Sequence, residues 1–140
     1  MRKTKYILAA ILVLFALAVS VVPGCVQKDD RVLKRVSVDE AYRLIQENRD
    51  NPEFIIIDVR TPQEYSQMHI DGAINIDFYS PKFRDELNGL DKSKTYLIYC
   101  RTGHRSGEAL KIMDELGFEH VYEMEGGIMQ WMAKGYPVIK

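Results

Sequence analysis

Apolar and polar positions fall into blocks whose length and period change sharply along the chain. Ile7 to Val22 is an apolar run broken only by Ser20, with the basic head Met1 to Tyr6 before it and Pro23-Gly24-Cys25 after it. Polarity then rises at Gln27-Lys28-Asp29-Asp30-Arg31, and Gln27 to Lys34 reads as a short polar linker. A basic head, an apolar middle and a small residue at the break predict a secretory signal. The run is also somewhat short for a comfortable membrane span.

Past the linker, strand-like and helix-like pieces alternate. Ser37 and Glu40 have capping-box spacing, and Val38, Ala41, Tyr42 and Ile45 recur behind them at helical intervals. Phe54-Ile55-Ile56-Ile57-Asp58-Val59 is a continuous run rich in β-branched residues, as expected of a strand buried on both faces. Thr61-Pro62-Gln63-Glu64 predicts a short helix with a second capping box and proline in its first turn. Gly72 to Ile76 predicts a short strand, Pro81 to Leu87 a short helix, and Thr95 to Cys100 a second buried strand. His104 to Leu116 predicts a helix with Ala109, Leu110, Ile112, Met113 and Leu116 inward, stopped by Gly117. His120-Val121-Tyr122 closes the strands, and Gly126-Gly127 opens a last helix through Lys134. Strands alternating with helices imply an α/β fold, a parallel sheet with helices on both faces. Functional sites in such sheets lie at the carboxyl ends of strands.

Composition narrows the function. The chain of 140 residues suffices for one domain. Beyond Gly24 it holds 16 Lys+Arg against 20 Asp+Glu, a formal charge of −4. That balance argues against a nucleic-acid partner, which calls for a basic face. With only Cys25 and Cys100, neither a disulfide framework nor a paired-cysteine zinc motif is present.

The informative segment is Cys100-Arg101-Thr102-Gly103-His104-Arg105-Ser106. A strand delivers Cys100, a tight loop follows, and a helix starts within a few residues. Successive N–H groups in such a loop can converge on an anion, and the helix N-terminus adds its own unpaired donors. Gly103 permits the positive φ that the curvature needs. Arg101 and Arg105 add charges, and His104 can add a third. Each feature favours an anion at the Cys100 sulfur, either a nucleophilic thiolate or a persulfide. A lone cysteine is otherwise a small buried hydrophobe, and arginines are otherwise a solvated face. Three such residues within five positions of a cysteine at a strand-to-helix turn favour the chemical reading.

These motifs resemble single-domain rhodaneses over about Val36 to Val138. Asp58-Val59-Arg60 with Glu64-Tyr65 is similar to the family's D-x-R-x-x-x-E-[FY] signature. His69 to Ile76 resembles its H-I-x-G-A-x-x-I segment, and Cys100 to Ser106 its C-R-x-G-x-R-S loop. Gly126-Gly127, Trp131 and Gly135-Tyr136-Pro137 resemble its closing motif. Met68 stands where the family usually has Gly, and Asp71 and Asp77 where Pro is common. Val22-Pro23-Gly24-Cys25 resembles a lipoprotein signal, cleaved before a cysteine that is then lipidated. The expected organisation is a signal peptide at 1–24, a lipid-anchor linker at 25–35 and a rhodanese-like domain at 36–140, exported and held on the extracytoplasmic face of a membrane through Cys25.

The resemblance implies sulfur transfer. Cys100 takes the outer sulfur of a small anionic donor such as thiosulfate, and a thiol or cyanide acceptor removes it. Arg101 and Arg105 would orient the donor, with Thr102, Gly103 and His104 completing the loop. Asp58, Arg60 and Ser106 would support it, His69 and Trp131 would be packing residues, and the resemblance implies no metal or organic cofactor. Two other readings have distinct signatures. A phosphatase loop of the related class places Arg six positions after its cysteine, whereas Ser106 occupies that position here. A persulfide carrier or binding module would deliver sulfur to a partner protein with little turnover of its own.

Overall fold

The computed structural model describes residues 30–140. The expected signal peptide and Cys25 lie outside the described residues. Five strands, β1 (Val32–Val36), β2 (Phe54–Asp58), β3 (Ile74–Asn75), β4 (Thr95–Tyr99) and β5 (His120–Met124), form one sheet in the order β1-β5-β4-β2-β3. Every pairing is parallel. The helices are α1 (Val38–Glu47), α2 (Pro62–Gln67), α3 (Phe83–Asn88), α4 (His104–Glu115) and α5 (Gly127–Ala133). Parallel neighbours need crossover connections, and these helices supply them, so both faces of the sheet are covered.

Two cores result. On one face, Ile57, Val59, Ile98, Cys100 and Val121 pack with Phe83 and Leu87 of α3 and Ala109 and Met113 of α4. On the other, Ile56, Leu97, Tyr99 and Met124 pack with Val38 and Ala41 of α1 and Ile128 and Trp131 of α5. The alternation along β2 and β4 sends successive side chains to opposite cores, which is why these strands read as unbroken apolar runs. Trp131 is 1 % exposed, and its indole N–H donates to the Pro137 carbonyl at 2.9 Å. Leu110, Ile112 and Leu116 of the inward set are partly buried against the first core.

One element differs in kind from the expectation. β1 lies largely inside the stretch read as linker, so among the described residues the sheet starts at Val32, ahead of the expected boundary at residue 36. It is an edge strand whose Lys34 is exposed and whose Arg35 is half exposed, and edge strands carry such charges to discourage further pairing. Elsewhere the differences are at ends and caps. The Ser37 hydroxyl caps α1 through the Glu40 N–H at 3.2 Å, but the Glu40 carboxylate meets Lys34 Nζ rather than closing a box. At α2 the box is complete. Met68 ends α2 with φ −168°, extended backbone that any residue adopts, so this position has no need of glycine.

Candidate active site

β4 ends at Tyr99, and Cys100 follows at the carboxyl edge of the sheet, between β2 and β5. The chain then turns through Arg101, Thr102 and Gly103 into α4. Gly103 holds φ 99°, a left-handed conformation that L side chains avoid. This bend lets the Gly103 N–H donate back to Cys100 Sγ at 3.1 Å. The Ser106 hydroxyl lies 3.3 Å from the same sulfur. Cys100 is 1 % exposed.

The other side of the loop is held by α5. The Ile128 N–H donates to the Cys100 carbonyl at 2.9 Å and the Met129 N–H to the Arg101 carbonyl at 3.1 Å. The loop carbonyls are thereby turned away from the sulfur, and this frees the loop's N–H side for it. Such close approach excludes a side chain at Gly127: a Cβ there would lie 2.5 Å from the Cys100 carbonyl oxygen and closer still to that of Arg101. The paired glycines thus have a definite task, which is to let a helix start directly against the loop.

The charged residues divide. Arg101, Thr102 and His104 are exposed at the rim. Arg105 is mostly covered, its side chain 12 % exposed, and both ends of its fork donate to the Glu64 carboxylate at 2.8 and 2.9 Å. Its guanidinium also lies over the Tyr79 ring, 5.4 Å from the centroid. The hydrogen bond from Arg105 and those from Thr61 hold the Glu64 carboxyl down to about 2, well below its ordinary range. The Glu64 hydrogen bond in turn raises Arg105, and the negative charge available at Cys100 adds to that. Arg105 is therefore a fixed charge anchored on α2, with its fork already filled.

Asp58 and Arg60 are buried and pair with each other, Nη2 to Oδ2 at 2.7 Å. Arg60 Nη2 also donates to the Met68 carbonyl at 2.6 Å, and the Asn75 amide bridges the carbonyls of Asp58 and Arg60. This cluster fixes the turn from β2 into α2, and so fixes Glu64. His69 stacks on Tyr65 and its backbone bridges to Ile139, away from the sulfur. A cavity of about 350 Å³ lies over the second core, lined by residues such as Tyr42, Phe54, Ile70 and Trp131; no residue of the Cys100 loop lines it.

Two residues near the sulfur were not marked by the sequence. Glu123 of β5 is fully buried, with its carboxylate against Ser106 and Arg35 of β1. The available signal was an acid inside a buried strand, which demands a partner. That partner sat in the stretch read as linker.

A parallel α/β sheet with a cysteine-bearing loop at a strand's carboxyl end defines a class of architecture, and comparison with known proteins narrows it. The family model described as Rhodanese-like domain matches residues 37–134, and the chain belongs to that family. It is 44 % identical over 72 residues to the thiosulfate sulfurtransferase PspE of Escherichia coli, covering 51 % of this chain and 68 % of that one. It is 27 % identical over 114 residues to the thiosulfate:glutathione sulfurtransferase of Saccharomyces cerevisiae, covering 74 % and 81 %. Among solved structures, a rhodanese-related protein of Thermoplasma volcanium superposes with a TM-score of 0.65 at 29 % identity, covering 76 % of this chain and 97 % of that one. The chain is thus a single rhodanese-like domain with sulfurtransferases among its relatives.

Proposed function

We propose that the protein transfers sulfane sulfur from a small anionic donor such as thiosulfate to a thiol or cyanide acceptor, carrying it on Cys100 as a persulfide. The observation that carries this reading is the sulfur itself: Cys100 Sγ sits at a strand-to-helix turn and accepts the Gly103 N–H at 3.1 Å. The Cys100 thiolate attacks the outer sulfur of thiosulfate. The S–S bond of the donor breaks, sulfite leaves with the electron pair, and Cys100–S–S⁻ remains. The acceptor then attacks the outer sulfur, and Cys100 leaves as thiolate. A thiol acceptor passes its proton to the transferred sulfur, so charge balances in both steps. Fixed donors at developing charge in a water-poor site are worth about 3 kcal/mol each, and the Gly103 amide and the Arg105 charge are the groups placed for this. Intact-mass spectrometry after incubation with thiosulfate should show a gain of one sulfur atom, lost on adding glutathione or cyanide. Turnover without that gain, or none of either, overturns the reading.

A second reading, a carrier that hands its persulfide to a partner protein, draws on the rim. Tyr79 and Met129 are exposed apolar side chains beside Arg105 and Arg101, a surface suited to a macromolecular acceptor. A loaded persulfide that small thiols and cyanide discharge only slowly would favour it.

The N-terminal pattern supports an exported protein held at a membrane by a lipidated Cys25. One acyl chain binds only marginally, whereas a lipoprotein-type diacyl group anchors stably. Cys25→Ser should release the protein from the membrane fraction or leave it unprocessed. A Cys25→Ser protein that stays membrane-bound at full precursor mass would instead show an uncleaved anchor.

A further inference from the structure

β5 carries one acid into the interior of the sheet. Glu123 is 0 % exposed and lies opposite Arg35 in the β1–β5 register. Its Oε2 accepts Arg35 Nε–H at 2.6 Å, and its Oε1 accepts the Ser106 hydroxyl at 2.5 Å. Ser106 Oγ is also 3.3 Å from Cys100 Sγ. Arg35 and Glu123 both lie beneath the loop: a Cβ on Gly103 would meet Arg35 Nη2 at 3.2 Å and Glu123 Oε1 at 3.5 Å. Cys100, Ser106, Glu123 and Arg35 therefore form one line from the sulfur to the edge of the sheet.

A hydroxyl has a single proton. Ser106 can give it to the carboxylate or to the sulfur, not to both. The shorter, charge-assisted contact is with Glu123. Ser106 then presents a lone pair to Sγ, which suits an S–H donor and not a thiolate. A thiolate would need the hydroxyl to turn, leaving Glu123 Oε1 buried without its donor beside a second negative charge. A persulfide relieves this conflict, because its charge sits on the outer sulfur and its inner sulfur is neutral.

We propose that Glu123, held in place by Arg35, is a positioning residue for sulfur transfer: acting through Ser106, it disfavours the free Cys100 thiolate and so favours the loaded persulfide. The second half rests on the persulfide reading above; the first does not. The charged groups around this line are Arg35 on β1, Arg105 on α4 with its Glu64 partner on α2, and Glu125, 3.7 Å from Arg35. Both Arg35 and Arg105 are influenced by the charge at Cys100, so each must be held constant when Glu123 is varied.

The test is the pH profile of Cys100 alkylation in the full chain, read on the peptide that carries Cys100. Glu123→Gln keeps shape and removes the charge, and its amide can donate to Ser106; its midpoint should fall by roughly one pH unit. Arg35→Met leaves Glu123 uncompensated and should move the midpoint up, with Arg35→Lys returning most of the way. With thiosulfate and sulfite at equilibrium, Glu123→Gln should hold a smaller persulfide fraction than the wild type. A Glu123→Gln profile that superimposes on the wild type, or moves upward, overturns the proposal. If that variant does not fold, Glu123→Asp decides: it keeps the charge and Arg35 but draws the carboxylate back from the Ser106 hydroxyl, so a fall in the midpoint supports the line of contacts and an unchanged or raised profile overturns it. Failure to gain sulfur from any donor would sink the sulfurtransferase reading while leaving the alkylation profile to judge Glu123.

Discussion

Around Cys100, single side chains do separate tasks that a motif alone blends together. Gly103 gives an amide to the sulfur, Ser106 links the sulfur to the Glu123 carboxylate, and Arg105 is a charge whose direction is fixed by Glu64. Cys100→Ser should abolish sulfur transfer from thiosulfate while changing stability by about 1 kcal/mol or less, since serine can still accept the Gly103 N–H. Thermal melts beside a thiosulfate assay check this. Because the fork of Arg105 is filled by Glu64, its replacement does two things. Arg105→Met removes the charge and leaves the Glu64 carboxylate without its ion-pair partner, held only by Thr61. It should cost roughly a hundredfold in kcat/KM for thiosulfate. Arg105→Lys keeps the charge and one of the two contacts, and should cost about tenfold. Adding Glu64→Gln to Arg105→Met should recover part of the loss. If the double variant is no better than Arg105→Met, the unpaired carboxylate is not the cause.

At the scale of elements, the loop is held from two sides, by the start of α4 and the start of α5. The second support depends on Gly127, at φ 58° and with the Cys100 and Arg101 carbonyls where its Cβ would be. Gly127→Ala should push α5 off the loop, costing about 3 kcal/mol of stability or more and most of the sulfur transfer. Gly117 is the control. It too has a positive φ, 84°, but open space around its would-be Cβ, so Gly117→Ala should cost only about 1 kcal/mol of backbone strain and leave transfer intact. Urea denaturation of the two variants separates crowding from conformation. Equal losses in both would mean that φ, not the contact with the loop, governs Gly127.

For the whole molecule, the Glu64–Arg105 pair joins α2 to α4 across 41 residues of chain, and it carries a pH dependence of definite sign. The folded Glu64 carboxyl is held at about 2, against an ordinary 4.5. It therefore binds its proton later than the unfolded chain does as pH falls. Its contribution is fully present above about pH 4.5 and is lost progressively down to about 2. Because both side chains retain some contact with water, about 2 kcal/mol is the expected scale. Glu64→Gln should lower the melting temperature at neutral pH and should converge with the wild type near pH 2. Parallel melting curves for the two proteins from pH 7 to pH 2 would show that Glu64 does not carry this dependence.

The contrast between what was legible and what was not follows contact range. The β4–loop–α4 unit could be read directly, because a β-branched run, a glycine and a helical period are local signals within about twenty residues. The same holds for α2, whose complete capping box needs only Thr61 and Glu64. The organisation into a parallel sheet followed from strands and helices alternating. β1 could not be read this way: Val32-Leu33-Lys34-Arg35-Val36 is too short and too charged to declare itself, and it is a strand because β5, 88 residues on, pairs with it. The same long reach hid the partners of two charges. Arg105 reads as a free cation until the fold brings Glu64 to it, and Glu123 reads as one acid among twenty until Arg35 and Ser106 meet it beside the sulfur. Local sequence determined that Cys100 ends a strand and what kind of loop holds it. Only the tertiary structure decided which charges surround its sulfur, because a charge acts through space and its partners are distant along the chain.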